Sequence, residues 1–105
     1  PQGVKRPVKW ARSAVDDLKN QVAYIAAEDP AAARRVAARI RVAGAGLGEL
    51  ASGRPGRVSG TYERSISGIP YVIAYALRPS TEGETIIILR VIHTARDWPP
   101  EHWPE

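Results

Sequence analysis

One break, at Asp29 and Pro30, separates two stretches of helical periodicity and constrains the fold more than any other feature. Before the break, apolar residues recur at steps of three and four, on one face of a helix: Val15, Leu18, Val22 and Ile25. After it, the same spacing continues to about Ala51: Ala33, Val36, Ile40, Ala43, Leu47 and Leu50. Asp29 suits a helix N-cap and Pro30 a first helical position, so the short connection predicts an antiparallel helix hairpin.

The pattern changes to that of a sheet on either side of this hairpin. Residues 4–10 predict an N-terminal strand that Pro7 limits to a sheet edge. After a loop at 52–60, three further strands are predicted, with a hairpin loop at 78–84 between the last two: 61–67, 71–77 and 85–93. The order β-α-α-β-β-β predicts an α+β fold, in which the helix hairpin covers one face of a small antiparallel sheet.

Length and composition limit the class of protein. The 105 residues suit one domain, which we assign to 1–98, followed by a Pro/Trp tail at 99–105. The absence of cysteine excludes disulfides, a thiolate nucleophile and a zinc knuckle. No apolar run approaches a membrane span and the N-terminus lacks a signal core, so we expect a cytoplasmic protein without membrane contact. The glycines of GAGLG (44–48) lie late in a helical pattern, which favours close helix packing or a frayed last turn over a phosphate loop.

Charge is distributed unevenly along the chain. Residues 1–60 carry 11 Lys and Arg against 5 Asp and Glu, whereas residues 61–105 carry 4 against 6. Four of the basic residues lie on the polar face of the second predicted helix: Arg34, Arg35, Arg39 and Arg41. This face is either a site for an acidic partner, which could be nucleic acid or protein, or an ordinary solvated helix surface.

Polar residues near the end of the last strand are candidates for chemistry. His93 suits acid–base work at neutral pH, but a strand-end histidine can equally serve the fold. If the strand is regular, Arg90 shares a face with Ile88 and Ile92 and points away from His93, so the two do not form one site unless a bulge intervenes. The arginines that could converge with His93 are Arg64 and Arg96.

Two further polar residues lie within the predicted elements. Glu63 is a possible base, but we expect it on an exposed strand edge. Tyr24 lies within a helical pattern and is expected to be at least half-buried.

Four stretches, taken in order, resemble the ParE/RelE superfamily of toxins from type II toxin–antitoxin modules. They cover about residues 8–98 and read VKWARSAVDDLKNQVAYIAAEDPAAARRV, GRPGRVSGTYE, PYVIAYAL and IIILRVIHTARDW. The resemblance implies a small cytosolic growth inhibitor of bacterial or archaeal type, without a metal or organic cofactor. It also implies a ParD/RelB-like antitoxin bound in a hetero-oligomer, with operator DNA contacted only through that antitoxin.

The two branches of this superfamily differ in their target: RelE-like members cut mRNA on the ribosome, and ParE-like members act on DNA gyrase. The nuclease branch places an arginine after the tyrosine that opens the middle strand, where this chain has Val72. It also often ends in a tyrosine that stacks on a base; none follows His93 here, although Trp98 could stack instead. The resemblance therefore favours the gyrase-inhibiting branch.

Two alternatives stay open at this stage. One is an mRNA endonuclease that uses His93, Arg64 and Arg96, and the other is a non-toxic antitoxin-binding co-repressor. For the favoured reading we predict no catalytic residue and a surface that binds the target: Arg57, Arg64, His93, Arg96 and Trp98. The predicted antitoxin surface lies on the helix hairpin: Leu18, Val22, Arg34, Arg35, Arg39 and Arg41.

Overall fold

A computed structural model describes residues 6–81 and 83–95. Two helices pack on one face of a five-stranded sheet, which confirms the predicted α+β class. In chain order the elements are β1 (Val8–Trp10), α1 (Arg12–Ala26), α2 (Pro30–Gly46), β2 (Arg54–Pro55), β3 (Tyr62–Ser65), β4 (Tyr71–Ser80) and β5 (Gly83–His93). The sheet order is β1-β5-β4-β3-β2, in which the β1–β5 pair is parallel and the other neighbours are antiparallel.

The helix hairpin forms where the sequence predicts it. Asp29 caps α2, because its Oδ1 atom accepts a hydrogen bond of 3.0 Å from the backbone N–H of Ala32, and Pro30 begins the helix. The predicted end near Ala51 is wrong, because α2 stops at Gly46. The chain then turns at Gly48, where a Cβ atom would lie 2.7 Å from the carbonyl oxygen of Arg6, and this turn leaves Leu50 68% exposed.

The sheet differs from prediction in two of its connections. β4 and β5 pair as far as Ser80 with Gly83, so most of the predicted 78–84 loop is strand. Gly83 has a φ of 115°, which accommodates the tight connection. The loop predicted at 52–60 also contains the short strand β2, whose pairing with β3 makes the outer edge of the sheet.

A β-bulge interrupts the pairing of β4 with β5. Ala74 pairs with Arg90 and Tyr75 with Ile88, so Leu89 is an extra residue on β5. The face assignment expected for a regular strand therefore does not hold: Ile88 belongs to the helix-side core, and Ile92 to the cluster on the other face. The extra residue shifts the alternation of β5 by one position, so Val91 follows Ile86 and Ile88 in the helix-side core.

The two faces of the sheet are buried by different parts of the chain. The helix-side core contains Ala14 of α1, Ile40 of α2, and sheet residues that include Tyr71, Ile73, Tyr75, Ile86 and Ile88. Trp10 packs against this core. The opposite face, which we call the back face, holds a cluster without helical residues: Ala74, Ala76, Leu89 and Ile92, with Val58 and Ile87 against it.

Side chains of α1 take the place of a neighbouring strand along part of β5. β1 pairs with β5 only at residues 86–88. Beyond that point, the hydroxyl of Ser13 donates a hydrogen bond of 2.7 Å to the carbonyl of Leu89, and Asp17 accepts one of 2.9 Å from the N–H of Val91. Backbone groups on this edge of β5 thus have hydrogen-bond partners both at the bulge and beyond it.

Candidate functional site

A wide groove lies between the two helices and β1. We call it the hairpin groove; its volume is about 670 Å³, and it is lined by Val8, Trp10, Val15, Leu18, Lys19, Val22, Ala23, Arg41 and Ala45. The groove exists because only Ala14 and Gln21 of α1 are buried, so the apolar stripe around Leu18 and Val22 is half-covered. Of the predicted antitoxin residues, it brings together Leu18, Val22 and Arg41.

The charged side chains that line the hairpin groove are all positive. Its lining includes two cations, Lys19 and Arg41, and no acidic side chain. Aromatic and aliphatic walls with a few charges at the margin are typical of surfaces that bind an amphipathic peptide.

A second, smaller cavity lies on the other side of α2, against β3. We call it the arginine cavity; its volume is about 440 Å³, and its lining residues are Ala38, Arg39, Val42, Ala43, Arg64, Ser65, Ile66 and Ser67. It joins Arg39, predicted for the antitoxin surface, to Arg64, predicted for the target surface. Arg34 and Arg35 are exposed on α2 outside both cavities.

His93 lies on the helix side of the sheet and contacts aromatic and backbone groups. Its ring meets the ring of Tyr71 edge-on, with centroids 5.2 Å apart, and its Nδ1 atom accepts a hydrogen bond of 3.1 Å from the N–H of Ala95. Arg64 is two strands away, about 10 Å across the sheet, and its guanidinium donates to the hydroxyl of Ser52. The structure does not bring His93 and Arg64 together, while Arg96 and Trp98 lie outside the described residues.

Glu63 is buried, contrary to prediction. It is 3% exposed and lies inside the β2–β3 turn, where it accepts hydrogen bonds of 2.8 Å from the N–H of Arg57 and 3.3 Å from the guanidinium of Arg54. Sequence reasoning missed this because β2, which covers it, has only two residues. Glu63 thus fixes the loop that carries Arg57, whose side chain is exposed.

Two positions on β4 and β5 bear on the nuclease alternative. Val72, at the position where the nuclease branch has arginine, is 2% exposed and pairs with Ile92. Arg90 is held by Asp17 through two bonds, Nε to Oδ2 at 2.7 Å and Nη2 to Oδ1 at 2.9 Å. The hydrogen bond to Asp17 raises the pKa of Arg90 further above its ordinary value, with burial acting in the opposite direction.

Three further observations complete the description of these surfaces. Tyr24 is 66% exposed, so its predicted burial is wrong. No group of three His, Asp or Glu residues within 6–81 and 83–95 is arranged to hold a metal ion. Across the same residues, neither helix is long and apolar enough to cross a membrane.

Comparison with known proteins agrees with this architecture. The family model of the ParE toxin of the type II toxin–antitoxin system parDE matches residues 8–98. The Y4kP protein of Sinorhizobium fredii, named as a candidate toxin, is 41% identical over 96 residues, which are 90% of this chain and 95% of that protein.

Two solved structures share the fold. The chromosomal ParDE toxin–antitoxin system from P. aeruginosa has a chain that superposes with a TM-score of 0.76 at 24% identity, over 85% of this chain and 96% of that one. The RelBE2 toxin–antitoxin complex from Mycobacterium tuberculosis has a chain with a TM-score of 0.60 at 26% identity, over 86% and 92%.

A helix hairpin packed on a five-stranded sheet is the small α+β fold that this chain shares with a chain of each of these two solved structures. The chain belongs to the ParE toxin family of type II toxin–antitoxin systems.

Proposed function

We propose that this chain is a toxin that acts on DNA gyrase by protein–protein contact, without cleaving RNA, and that a cognate antitoxin silences it by filling the hairpin groove. The absence of RNA cleavage is proposed from the apolar back face around Val72. Val72 is buried beside Ile92, at the position where a nuclease of this superfamily has a cation.

Metal-free RNA cleavage needs a base for the 2′-hydroxyl, an acid for the leaving oxygen and cations for the developing phosphorane charge, all converging on one point. The described candidates for these roles are dispersed. Glu63 is enclosed by Arg54 and the N–H of Arg57, Arg90 is paired with Asp17, and His93 faces the helix side of the sheet. Their dispersion supports a target contact without bond-making chemistry.

The antitoxin half of the proposal is supported by shape and charge. Leu18 and Val22 give the hairpin groove apolar walls, and Lys19 and Arg41 give it positive charge. A segment with apolar anchors and acidic residues fits both features, and opposite charge speeds its association. The two solved neighbours are titled as toxin–antitoxin systems, which agrees with such a partner.

The test is to add purified chain to two assays, gyrase supercoiling of a plasmid and mRNA cleavage on programmed ribosomes. We expect blocked supercoiling or trapped gyrase–DNA breaks, with intact mRNA. His93→Ala is expected to leave growth inhibition largely intact, whereas changes at Arg96 and Trp98 weaken it.

The same pair of assays separates the alternatives. Cleaved mRNA with normal supercoiling would replace the gyrase proposal with the RelE-like nuclease, the other branch of the superfamily. Loss of toxicity in a folded His93→Ala variant would point the same way. A chain that does neither, but binds its antitoxin, would be a co-repressor.

Antitoxin binding is tested at Leu18. We expect Leu18→Lys to weaken the complex with the antitoxin by at least about a hundredfold, because it puts an amine into the apolar wall. Lys19→Gln, which removes a charge at the margin of the groove, should slow association and weaken binding by less than about tenfold. Equal affinity of wild type and Leu18→Lys in titration calorimetry would remove the groove from the proposal.

A further inference from the structure

The arginine cavity holds two cations that face neutral partners. Arg39 donates to the carbonyl oxygen of Ser67, and Arg64 donates to the hydroxyl of Ser52 at 2.9 Å. No carboxylate of the described residues pairs with either guanidinium, in contrast to Arg54 with Glu63 and Arg90 with Asp17. The cavity therefore has unneutralised positive charge.

The shape of the cavity favours a peptide over a small inorganic anion. At about 440 Å³ it is far larger than one oxyanion, and Val42, Ala43 and Ile66 give it apolar walls between the two arginines. An acidic side chain with its methylene groups matches both the charge and the walls, and guanidinium groups bind carboxylates with strong charge-assisted hydrogen bonds.

A short crest of α2 separates the arginine cavity from the hairpin groove. Ala38 and Val42 line the first, and Arg41 and Ala45 line the second; all four are exposed. Residues three and four apart are neighbours on a helix, and alanines at both ends of the crest let a crossing chain approach closely. An extended segment covers the roughly 10 Å width of a helix with about three or four residues.

We propose that the arginine cavity is a carboxylate-binding subsite, where Arg39 and Arg64 hold an Asp or Glu side chain of the antitoxin once its chain has crossed α2 from the hairpin groove. This inference rests on the proposed function. It adds a second, ionic anchor, separated from the apolar anchor by the width of one helix. Along the antitoxin sequence, the acidic residue bound in the arginine cavity lies within about six positions of the residue whose side chain fills the hairpin groove beside Leu18.

The experiment measures the affinity of the full-length chain for the antitoxin encoded beside it, by titration calorimetry at two salt concentrations. Arg39→Gln and Arg64→Gln are each expected to weaken binding about tenfold at low salt, and less at high salt. Arg78→Gln is the matched control: it removes the same charge from the exposed end of β4, outside both cavities, and should change affinity less than about twofold. Arg39→Lys keeps the charge and should recover part of the loss.

A double-mutant cycle identifies the partner group. Each acidic residue of the antitoxin is changed to its amide and combined with Arg39→Gln, and we expect a single position to show non-additive losses. Losses for Arg39→Gln and Arg64→Gln no larger than for Arg78→Gln, or strict additivity at every acidic position, would overturn the subsite. If wild type itself fails to bind the antitoxin, the proposed function is what fails.

Discussion

Asp17 joins α1 to β5 through one carboxylate. It accepts two hydrogen bonds from Arg90 and one from the N–H of Val91, and only 15% of its side chain is exposed. The N–H of Val91 lies on the β5 edge beyond β1, so Asp17 supplies the acceptor that a further strand would have supplied. Asp16, its neighbour in the chain, is more than half exposed and lies 3.6 Å from Arg12.

Replacing Asp17 should therefore destabilise the fold much more than replacing Asp16. We expect Asp17→Asn to lower the free energy of unfolding by about 2–3 kcal/mol, because the charge-assisted bonds weaken and Arg90 loses its partner. Asp16→Asn should change it by less than about 0.5 kcal/mol, as for exposed ion pairs. Urea unfolding followed by circular dichroism measures both, and equal effects would show that the Asp17 contacts contribute little.

Tyr75 is expected to make stability depend on pH in the alkaline range. Burial, followed by the nearby Tyr62, raises the pKa of Tyr75 above its ordinary value, and its hydroxyl donates to the carbonyl of Ser52 at 2.9 Å. The unfolded chain therefore ionises first, and this share of the stability is present below about pH 10 and lost as pH rises beyond it.

Tyr75→Phe tests that dependence. It should lower stability by about 1 kcal/mol at pH 7 through the lost hydrogen bond, and should flatten the decline above about pH 10. Tyr62→Phe is the control, because Tyr62 is partly exposed and stacks on Tyr75 with ring centroids 5.6 Å apart. Thermal melts between pH 7 and 11 give both curves; an unchanged alkaline slope in Tyr75→Phe would contradict the argument.

At the scale of elements, α2 contains two glycines in opposite environments. A Cβ atom at Gly44 would lie 2.8 Å from the ring of Trp10 and 3.0 Å from Ile88, whereas at Gly46 it would meet nothing within 4 Å. The prediction of close helix packing in the GAGLG stretch is thus confirmed at Gly44, which brings α2 against β1 and β5.

These environments give substitutions of opposite sign. Gly46→Ala should stabilise the protein by about 0.5–1 kcal/mol through helix propensity. Gly44→Ala should destabilise it by about 1–3 kcal/mol, since Trp10 and Ile88 must move to admit a methyl group. Differential scanning calorimetry of the two variants compares them directly. Stabilisation by Gly44→Ala would show that the Trp10 ring moves aside at little cost in free energy.

The elements that local chemistry specifies were predictable, and those that depend on distant pairing were not. Asp29 and Pro30 start α2 through contacts within four residues, so the sequence contains the whole signal. The bulge at Leu89 depends on where Ala74 and Tyr75 meet β5, and no pattern within β5 records that. The burial of Glu63 likewise depends on a two-residue strand whose pairing is not apparent from composition. Of the site, the apolar positions Leu18 and Val22 were predictable, but the pairing of Arg39 with Arg64 in one cavity was not.

At the scale of the whole molecule, the parallel pairing of β1 with β5 begins at Val8 and Ile86 and covers an edge of β5 that would otherwise be open. Removing residues 1–10 would leave the apolar segment around Ile87 with an open edge, which is a template for pairing between copies. We expect this truncated chain to form dimers and larger oligomers at micromolar concentration, measured by size exclusion with light scattering. Trp10→Ala keeps the strand and loses packing, so it should lower the melting temperature while staying monomeric; a monomeric truncated chain would contradict the prediction.

The position of β4 and β5 in the chain has a consequence for synthesis. The helices leave the ribosome first, but the surface on which they pack is made of residues 71–93, and β1 acquires its partner strand only when residue 86 has emerged. At about 5–20 residues per second, translation leaves the apolar side of the hairpin without its sheet for several seconds. The fold is therefore completed only after β5 has been synthesised, and a message cut short before that strand yields no folded domain.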